Sequence, residues 1–600
     1  MLNTKNPAKR CARWAASFAA WLLMMAGIAA TGSAHAASYR DLAVVNPVIS
    51  CGDLAKTDVS SAVDGKVTIA SASVISTPKG RFCAVKGNIE PTIGFIIDLP
   101  LNHWTQRFFE GGCGGLCGMM GIRGIEHASG CLPALNGEFV VASDDMGHES
   151  QMGSATQGAF GYDSQKRIDF AYRGNHDTAL VAKALISKFY GQAPKYSYFM
   201  GCSDGGREAL MEAQRFPTDF DGISAGDPAA LFVEQNSFYH AWNALSDKRA
   251  DGTNILTAPK LDLIHAAVIA KCPTLSGVSD GLLVDPAACD FDPVSIACAT
   301  GASDTSQCLT PDELKAATAQ YGGATDGQGH YFSFGAQKGG EALWRQSLPL
   351  TGDGTSMSIG MAASSIQYLE LPQVDTSYDV NHFQFSEANW AQVTQLAPLY
   401  DAANTDLKPF KAHGGKLILY HGLSDTSITP GVAIAYYEGV QKFIGVAETD
   451  KFLRFFEIPG MWHCGGGDGY NQFDLLSPLM AWTELGKAPA ELVTGRPAPG
   501  NRGPGAPGRG GPPRGMQGMT QVNNPLASGP TAVVATRPAF PYPYIPQYSA
   551  SGDPNDAANY KPVKSSVGEV AFPSSNEALK LIGPDNQKNY HVVNNSLVVG

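Results

Sequence analysis

Three stretches far apart in the chain carry the residue types that nucleophilic acyl chemistry requires. In Tyr196-Ser197-Tyr198-Phe199-Met200-Gly201-Cys202-Ser203-Asp204-Gly205-Gly206-Arg207, an apolar run leads into a G-x-S-x-G turn and then a helix start. Small residues two before and two after the serine permit a sharp turn, which lifts the hydroxyl to a strand tip above a helix N-terminus. There the backbone N–H of Asp204 faces the place where an oxyanion would develop, and the helix dipole adds to its pull. A serine hydroxyl needs a base, and the base needs an acid to hold it. Lys416 to Asp425 reads as a strand ending in a loop that offers Asp425, and Phe455 to Gly467 as a strand ending in a Gly-rich loop that offers His463. The order serine, acid, histidine is the one found when such a turn crowns an α/β sheet. The reading is Ser203 as nucleophile, His463 as base and Asp425 as the base's partner. His421 is a rival base, better read as a structural histidine beside a strand end, and Asp468 is a rival acid close in sequence to His463. Cys202 precedes the serine and Cys464 follows the histidine. A bridge between them would limit how far the imidazole drifts from the hydroxyl.

These side chains meet only if a scaffold delivers their strand ends to one edge of a sheet. Val67 to Ala70, Ile93 to Leu99 and Glu138 to Ser143 read as strands, and a Gly-dense turn at Glu110 to Gly115 lies among them. Apolar positions at Leu180, Val181, Ala184, Leu185 and Phe189 predict a helix over 175–191, followed by the strand at Tyr196 to Met200 and a helix over Gly206 to Arg215. The alternation returns late in the chain, with strands at 416–420 and 452–458 and helices at 432–443 and 476–484. Strands alternating with helices predict an α/β layer on a mostly parallel sheet. Between the two parts, residues 229–395 carry scattered helices, polar turns and Cys272, Cys289, Cys298 and Cys308. The economical reading is an α/β domain in two parts, 37–228 and 396–494, interrupted by an inserted lid. Residues 495–529 are a Gly/Pro/Arg stretch that cannot bury a core and reads as a disordered surface loop.

Composition narrows the partners. Of 600 residues, 16% are charged and 67 are Gly and 38 Pro, which favours a loop-rich globular enzyme over a helical or coiled-coil protein. A formal charge of −12 and a pI near 5.5 imply no basic surface, so a nucleic-acid partner is not expected. Lys5, Lys9, Arg10 and Arg13, an apolar run from Trp14 to Ala30 and Ala34-His35-Ala36 make residues 1–36 a secretory signal peptide. No other stretch is long enough to span a membrane, so a secreted or periplasmic protein without a membrane partner is expected. Export places the cysteines in an oxidising compartment, where pairing is the default. With Cys11 lost alongside the signal, an odd number remains, so at least one thiol stays free or pairs outside the chain. Zinc at Cys113 and Cys117 is the weaker reading, because no second Cys/His pair stands at ligand spacing.

These residues resemble the tannase and feruloyl esterase family, which also includes the enzyme that hydrolyses mono(2-hydroxyethyl) terephthalate. The family's Cys-Ser, Asp and His-Cys arrangement matches Cys202-Ser203, Asp425 and His463-Cys464. Supporting stretches are Phe170-Ala171-Tyr172-Arg173, Phe189-Tyr190-Gly191, Ala213 to Pro217, Phe220 to Ile223 and Tyr420-His421-Gly422. The resemblance covers about residues 45–490 and resumes near 537–560. It implies an α/β-hydrolase fold with a large lid inserted between nucleophile and acid, residues 530–565 returning to the hydrolase domain and 566–600 forming an extension. It implies the bridges Cys202–Cys464, Cys51–Cys83, Cys272–Cys289 and Cys298–Cys308, with one pair and one leftover thiol among Cys113, Cys117 and Cys131. The oxyanion hole it implies is the N–H of Asp204 plus that of Gly112 or Cys113.

What the resemblance implies for function is hydrolysis of a small-molecule or polymer-linked aromatic ester, such as a feruloyl or galloyl ester, with no cofactor required. A terephthalate-monoester hydrolase, a serine peptidase and a non-catalytic polyphenol-binding protein are the alternatives. Lid aromatics Phe332, Phe334, Trp344, Tyr368, Phe383, Phe385 and Trp390 are candidates to grip a ring, most of them serving as lid core. Many relatives bind calcium in the lid through C-D-x-x-D-G-V-x-D-G. Here Pro273 and Ser276 replace two acids, leaving Asp280 with the carbonyls of Val278 and Leu282. A hard cation takes about 6–8 oxygen ligands and wants formal negative charge, so calcium is expected to bind weakly or not at all. Where relatives carry a C-terminal cysteine pair, this chain has Phe540 and Lys561. Neither the acyl group nor the oligomeric state is legible.

Overall fold

Apolar runs that are buried along their whole length set the architecture, because a strand covered on both faces needs no polar alternation. Ile93–Pro100, Phe139–Asp144 and Gly222–Gly226 are buried at every position. The computed structural model describes residues 39–600 apart from 121–126, 151–155, 274–275, 349–355, 499–530 and 568–571. The signal peptide read at 1–36 and most of the 495–529 stretch therefore lie outside the described residues.

The large sheet has nine strands: β1 (Val67–Thr77), β2 (Gly80–Ile89), β3 (Ile93–Pro100), β4 (Arg107–Gly111), β5 (Phe139–Asp144), β6 (Tyr196–Cys202), β7 (Gly222–Gly226), β8 (Lys416–Gly422) and β9 (Leu453–Ile458). Their spatial order is β1-β2-β3-β5-β4-β6-β7-β8-β9. The first three pair antiparallel, β3 meets β5 antiparallel, and every pairing from β5 to β9 is parallel. Cys202 stands beside Gly226 and Gly226 beside Tyr420, so β6, β7 and β8 end at nearly one level. This is the α/β-hydrolase arrangement, and it brings three carboxyl ends to one rim.

Helices cover the faces. Helix α1 (Gly174–Tyr190) stops at Gly191, whose φ of +74° is the left-handed C-cap that glycine accepts without strain. Helix α2 (Asp204–Arg215) springs directly from the serine turn. Helices α3 (Ala258–Lys271), α4 (Pro311–Gly322), α5 (Met357–Ser365) and α6 (Glu387–Val393) belong to the insertion between β7 and β8. Helix α4 opens with a complete capping box between Thr310 and Glu313, with Pro311 at its first position. Helices α7 (Pro430–Ile444) and α8 (Leu476–Leu485) complete the layers. Among the described residues the insertion adds no strand to the large sheet. It has a core of its own around Leu256, Leu261, Ile264 and Trp344, while Phe238, Phe332, Phe383 and Trp390 join the main core with Phe199 and Leu419.

Beyond α8, strand β10 (Leu492–Pro497) pairs antiparallel with β11 (Val533–Ala539). Residues 495–497 are thus sheet rather than loop, a correction to the boundary read from composition. Pairing with a strand some forty residues later leaves no local signature. Tyr542 packs between Tyr437 and Phe455 of the main core, and β12 (Tyr544–Tyr548) pairs with β13 (Tyr560–Lys564). The extension carries the hairpin β14 (Tyr590–Val593) and β15 (Ser596–Val599). It docks on both parts of the molecule: Asn576 Nδ2 donates to the Ser333 carbonyl at 3.2 Å, and Ser164 Oγ donates to the Asn595 carbonyl at 2.7 Å. No described helix is long and apolar enough to cross a membrane.

Candidate active site

Ser203 sits at the tip of β6 with φ +68° and ψ −122°, a conformation costly for a residue with a side chain. Its neighbours make the turn possible. A Cβ on Gly201 would collide with the carbonyl oxygen of Gly205, and one on Gly205 would lie 2.7 Å from the carbonyl oxygen of Cys113. The turn is anchored by the Ser203 N–H, which donates to the Gly226 carbonyl at 3.0 Å.

The three rim loops bring the nominated side chains together. His463 Nδ1 lies 2.7 Å from Asp425 Oδ2, and His463 Nε2 lies 2.8 Å from Ser203 Oγ. A carboxylate only accepts, so Nδ1 carries the proton and Nε2 presents its lone pair to the serine hydroxyl. Asp425 is buried, and its other oxygen accepts the N–H groups of Ser427 at 2.8 Å and Ile428 at 3.1 Å. Ser203 and His463 are half-buried, open enough for substrate to reach. His421 is fully buried and donates from Nε2 to the Ile428 carbonyl at 2.9 Å, 3.4 Å from Asp425 Oδ2. It stands behind the acid rather than beside the serine. It is Asp425, and not Asp468, that accepts the hydrogen bond from His463 Nδ1.

Charge follows from this packing. Burial alone would raise the Asp425 pKa, but His463 and His421 outweigh it and hold the carboxyl well below the usual range. Burial opposes protonation of His463, and Asp425, with Asp227 adding to it, carries its pKa above the ordinary imidazole value. The acid therefore stays ionised, and the imidazolium that would form during proton transfer is stabilised.

Bridges join Cys202 to Cys464, Cys51 to Cys83, Cys113 to Cys117, Cys272 to Cys289 and Cys298 to Cys308. Among the described residues Cys131 is the free thiol, and burial raises its pKa. With the sulfurs of Cys113 and Cys117 bonded to each other, and those of Cys202 and Cys464 likewise, neither pair offers thiolates to zinc, although Asp204 and Glu208 approach the first pair. At Asp227, His421 and Asp425, N–H groups already occupy the carboxylates.

The backbone donors around Ser203 correct the reading of an oxyanion hole from sequence. Asp204 opens α2, so its N–H has no intrahelical acceptor. Its carboxylate is gripped by Arg207 through Nε at 2.6 Å and Nη2 at 2.9 Å, and Arg207 also donates to the carbonyls of Phe170 and Ala171. The Gly112 N–H, however, donates to the Met200 carbonyl at 3.0 Å, and the Cys113 N–H to Glu208 Oε2 at 3.1 Å. Both are engaged within the fold: Gly112 continues the β4–β6 ladder, and Cys113 faces a carboxylate one turn into α2. The next N–H in the turn, that of Gly114, has no acceptor among the described residues. Glu208, Arg207 and His127, which contacts the Cys464 carbonyl at 3.3 Å, escaped the sequence reading. Only the Ser203/Arg207 and Asp204/Glu208 helical spacings hinted at two of them.

The aromatic candidates serve packing. Phe332, Phe334, Trp344, Tyr368, Phe383 and Trp390 are all buried, and Phe238 is ringed by Phe332, Phe383, Phe385 and Trp390 at 4.8–6.0 Å. The calcium segment does not fit a divalent cation. Asp280 Oδ2 lies 2.8 Å from Arg537 Nη2 and 3.9 Å from Arg496 Nη2. The carbonyl of Val278 accepts the Ser276 hydroxyl at 3.3 Å. Arg537 is buried against the rings of Tyr470 and Tyr560, 4.6 and 4.9 Å from their centroids. A guanidinium thus meets the one remaining carboxylate, and its positive charge opposes a metal ion there.

A sequence profile described as Tannase and feruloyl esterase matches residues 74–563. An uncharacterized esterase of Xanthomonas campestris pv. campestris is 30% identical, over 86% of this chain and 92% of that protein. Mono(2-hydroxyethyl) terephthalate hydrolase of Piscinibacter sakaiensis is 29% identical, over 82% of this chain and 86% of that protein. Among solved structures, feruloyl esterase B from Aspergillus oryzae shares the fold with a TM-score of 0.68 and 24% identity, over 86% of this chain and all of that one.

Proposed function

Because this chain belongs to the tannase and feruloyl esterase family and is a carboxylic ester hydrolase, we propose that it is an exported serine esterase acting on esters of aromatic acids through an acyl-enzyme on Ser203. The observation that carries this reading is the unbroken relay from Asp425 through His463 to Ser203, at 2.7 and 2.8 Å. His463 takes the serine proton as Oγ attacks the ester carbonyl, Asp425 steadies the imidazolium, and the proton passes to the leaving alcohol. Water, activated by the same imidazole, then releases the acid. The oxyanion is met by the Asp204 N–H and, in this reading, by that of Gly114, each worth about 3–4 kcal/mol of barrier when lost. The aromatic acyl group is drawn from the family and from the relative that hydrolyses a terephthalate monoester. Export rests on the A-x-A-terminated leader and on the five bridges. Calcium has no part in this reading, since Arg537 answers Asp280.

The test compares wild type with Ser203→Ala on methyl ferulate, methyl gallate, mono(2-hydroxyethyl) terephthalate, an aliphatic butyrate ester and an aromatic amide. Turnover of at least one aromatic ester, at least tenfold above the butyrate and lost in Ser203→Ala, is the expected result. Retained turnover in the variant removes the serine mechanism. Amide turnover without ester turnover points to a peptidase. No turnover and no organophosphorus label on Ser203 in the wild type points to a binding protein.

A further inference from the structure

Asp227, one residue beyond β7, has so far entered only through its charge, yet its carboxylate reaches the Asp425 loop, the His463 loop and the sulfur of Cys202 beside the serine. It is fully buried and has φ +37°, a left-handed conformation unusual outside glycine. Its own N–H donates to the Tyr420 carbonyl at 2.9 Å, and the carbonyl just before it, on Gly226, receives the Ser203 N–H. One carboxylate oxygen accepts the N–H of Gly422 at 2.7 Å, where the loop to Asp425 begins. The other accepts the N–H of Cys464 at 2.5 Å, the residue next to His463. Cys464 itself has φ +60°, so its backbone needs outside support to keep this shape. That support comes through its sulfur from Cys202, through its carbonyl from His127 and through its N–H from Asp227.

We propose that Asp227 is a positioning residue for the base: its two carboxylate oxygens fix the Asp425 loop and the His463 loop to the strand that also anchors the serine turn. The inference rests on the esterase reading given above. Two backbone donors on two separate loops, converging on two oxygens of one buried side chain, leave a single arrangement in which both are satisfied. The disulfide limits where Cys464 can go, whereas the Asp227 hydrogen bond sets the tilt of the peptide that carries His463.

The same carboxylate acts on the imidazole through space. The ionisable groups around His463 are Asp425, Asp227, His421 and His240. Burial, with the charge of Asp425 adding, pushes the Asp227 carboxyl up to about 6, so it is an anion through the neutral range. An anion there favours the imidazolium and carries the His463 pKa upward. Removing the charge makes the imidazole lose its proton at lower pH, so the base stays competent to lower pH.

Asp227→Asn tests this. Asparagine tolerates the left-handed backbone and keeps one acceptor, but turns an NH2 toward the second N–H. Stopped assays on the best ester from the substrate panel should show kcat lowered about 10–100-fold with KM within about twofold, the size of a sub-ångström misplacement. The acid limb of kcat/KM should also move down by about 0.5 pH units. Circular dichroism and mass-mapped Cys202–Cys464 confirm that the variant is folded and bridged. Wild-type kcat, or a lowered kcat with an unmoved acid limb, overturns the proposal. So does failure of both Asp227→Asn and Asp227→Ser to fold, which would make Asp227 a folding determinant. Ser203→Ala measured alongside separates the two readings: if it retains turnover, the esterase mechanism fails first, whereas lost turnover with an unaffected Asp227→Asn defeats only the positioning role.

Discussion

Replacing Asp425 by Asn should cripple the relay without disturbing the fold, and the structure says why. Asp425 Oδ1 accepts two backbone N–H groups, from Ser427 and Ile428, and Oδ2 accepts the His463 Nδ1 proton. An asparagine must choose. With its oxygen toward the backbone, its NH2 faces Nδ1 and donates to it, which forces the imidazole proton onto Nε2. Nε2 can then no longer accept the serine proton. Flipping the amide restores the tautomer but leaves two buried N–H groups against an NH2. At about 1–3 kcal/mol for each unsatisfied donor, the flip costs about 2–6 kcal/mol. The competent population then falls by a factor of about 30 to 10⁴, centred near 10³. Steady-state hydrolysis of the best aromatic ester at neutral pH measures it, with KM expected to change little because Asp425 is buried behind His463 and does not itself meet substrate. A folded Asp425→Asn enzyme within tenfold of wild-type kcat would refute this account of the relay.

Three other outcomes follow from contacts described above. The Cys202–Cys464 bridge closes a separation of 262 residues, and the chain-entropy treatment gives it an upper value of about 5–6 kcal/mol. A Cys202→Ala/Cys464→Ala variant should therefore unfold at a clearly lower urea midpoint while keeping a measurable fraction of kcat, since the Asp227 and His127 hydrogen bonds still hold the His463 loop. An unchanged midpoint would contradict this. For the Asp280 site, a chelator or added millimolar calcium should leave the melting temperature unmoved. Arg537→Met, which strips a buried carboxylate of its main partner, should lower stability by about 3 kcal/mol in urea unfolding, less whatever Arg496 recovers. One tightly bound calcium in metal analysis of the wild type would overturn it.

The sequence by itself nominated Ser203, Asp425 and His463, which the fold brings within hydrogen-bond distance, ordered the strands and helices that carry them and marked Cys202 and Cys464. Each of those signals is local: small residues on either side of a serine, an apolar run ending in a polar or Gly-rich loop, a cysteine beside a nominated residue. Backbone sterics and burial write such patterns within a dozen positions. Tertiary structure alone decided which N–H groups remain free for an oxyanion, because whether Gly112 or Cys113 is engaged depends on Met200 and Glu208, nearly a hundred residues away. It alone paired Cys113 with Cys117, set Arg537 against Asp280, placed the lid aromatics in the core and brought the C-terminal hairpin onto the hydrolase layer. It alone showed Asp227 holding the Asp425 and His463 loops. A hydrogen bond or ion pair between segments hundreds of residues apart imposes no periodicity on either segment, so only the folded chain reveals which partners meet.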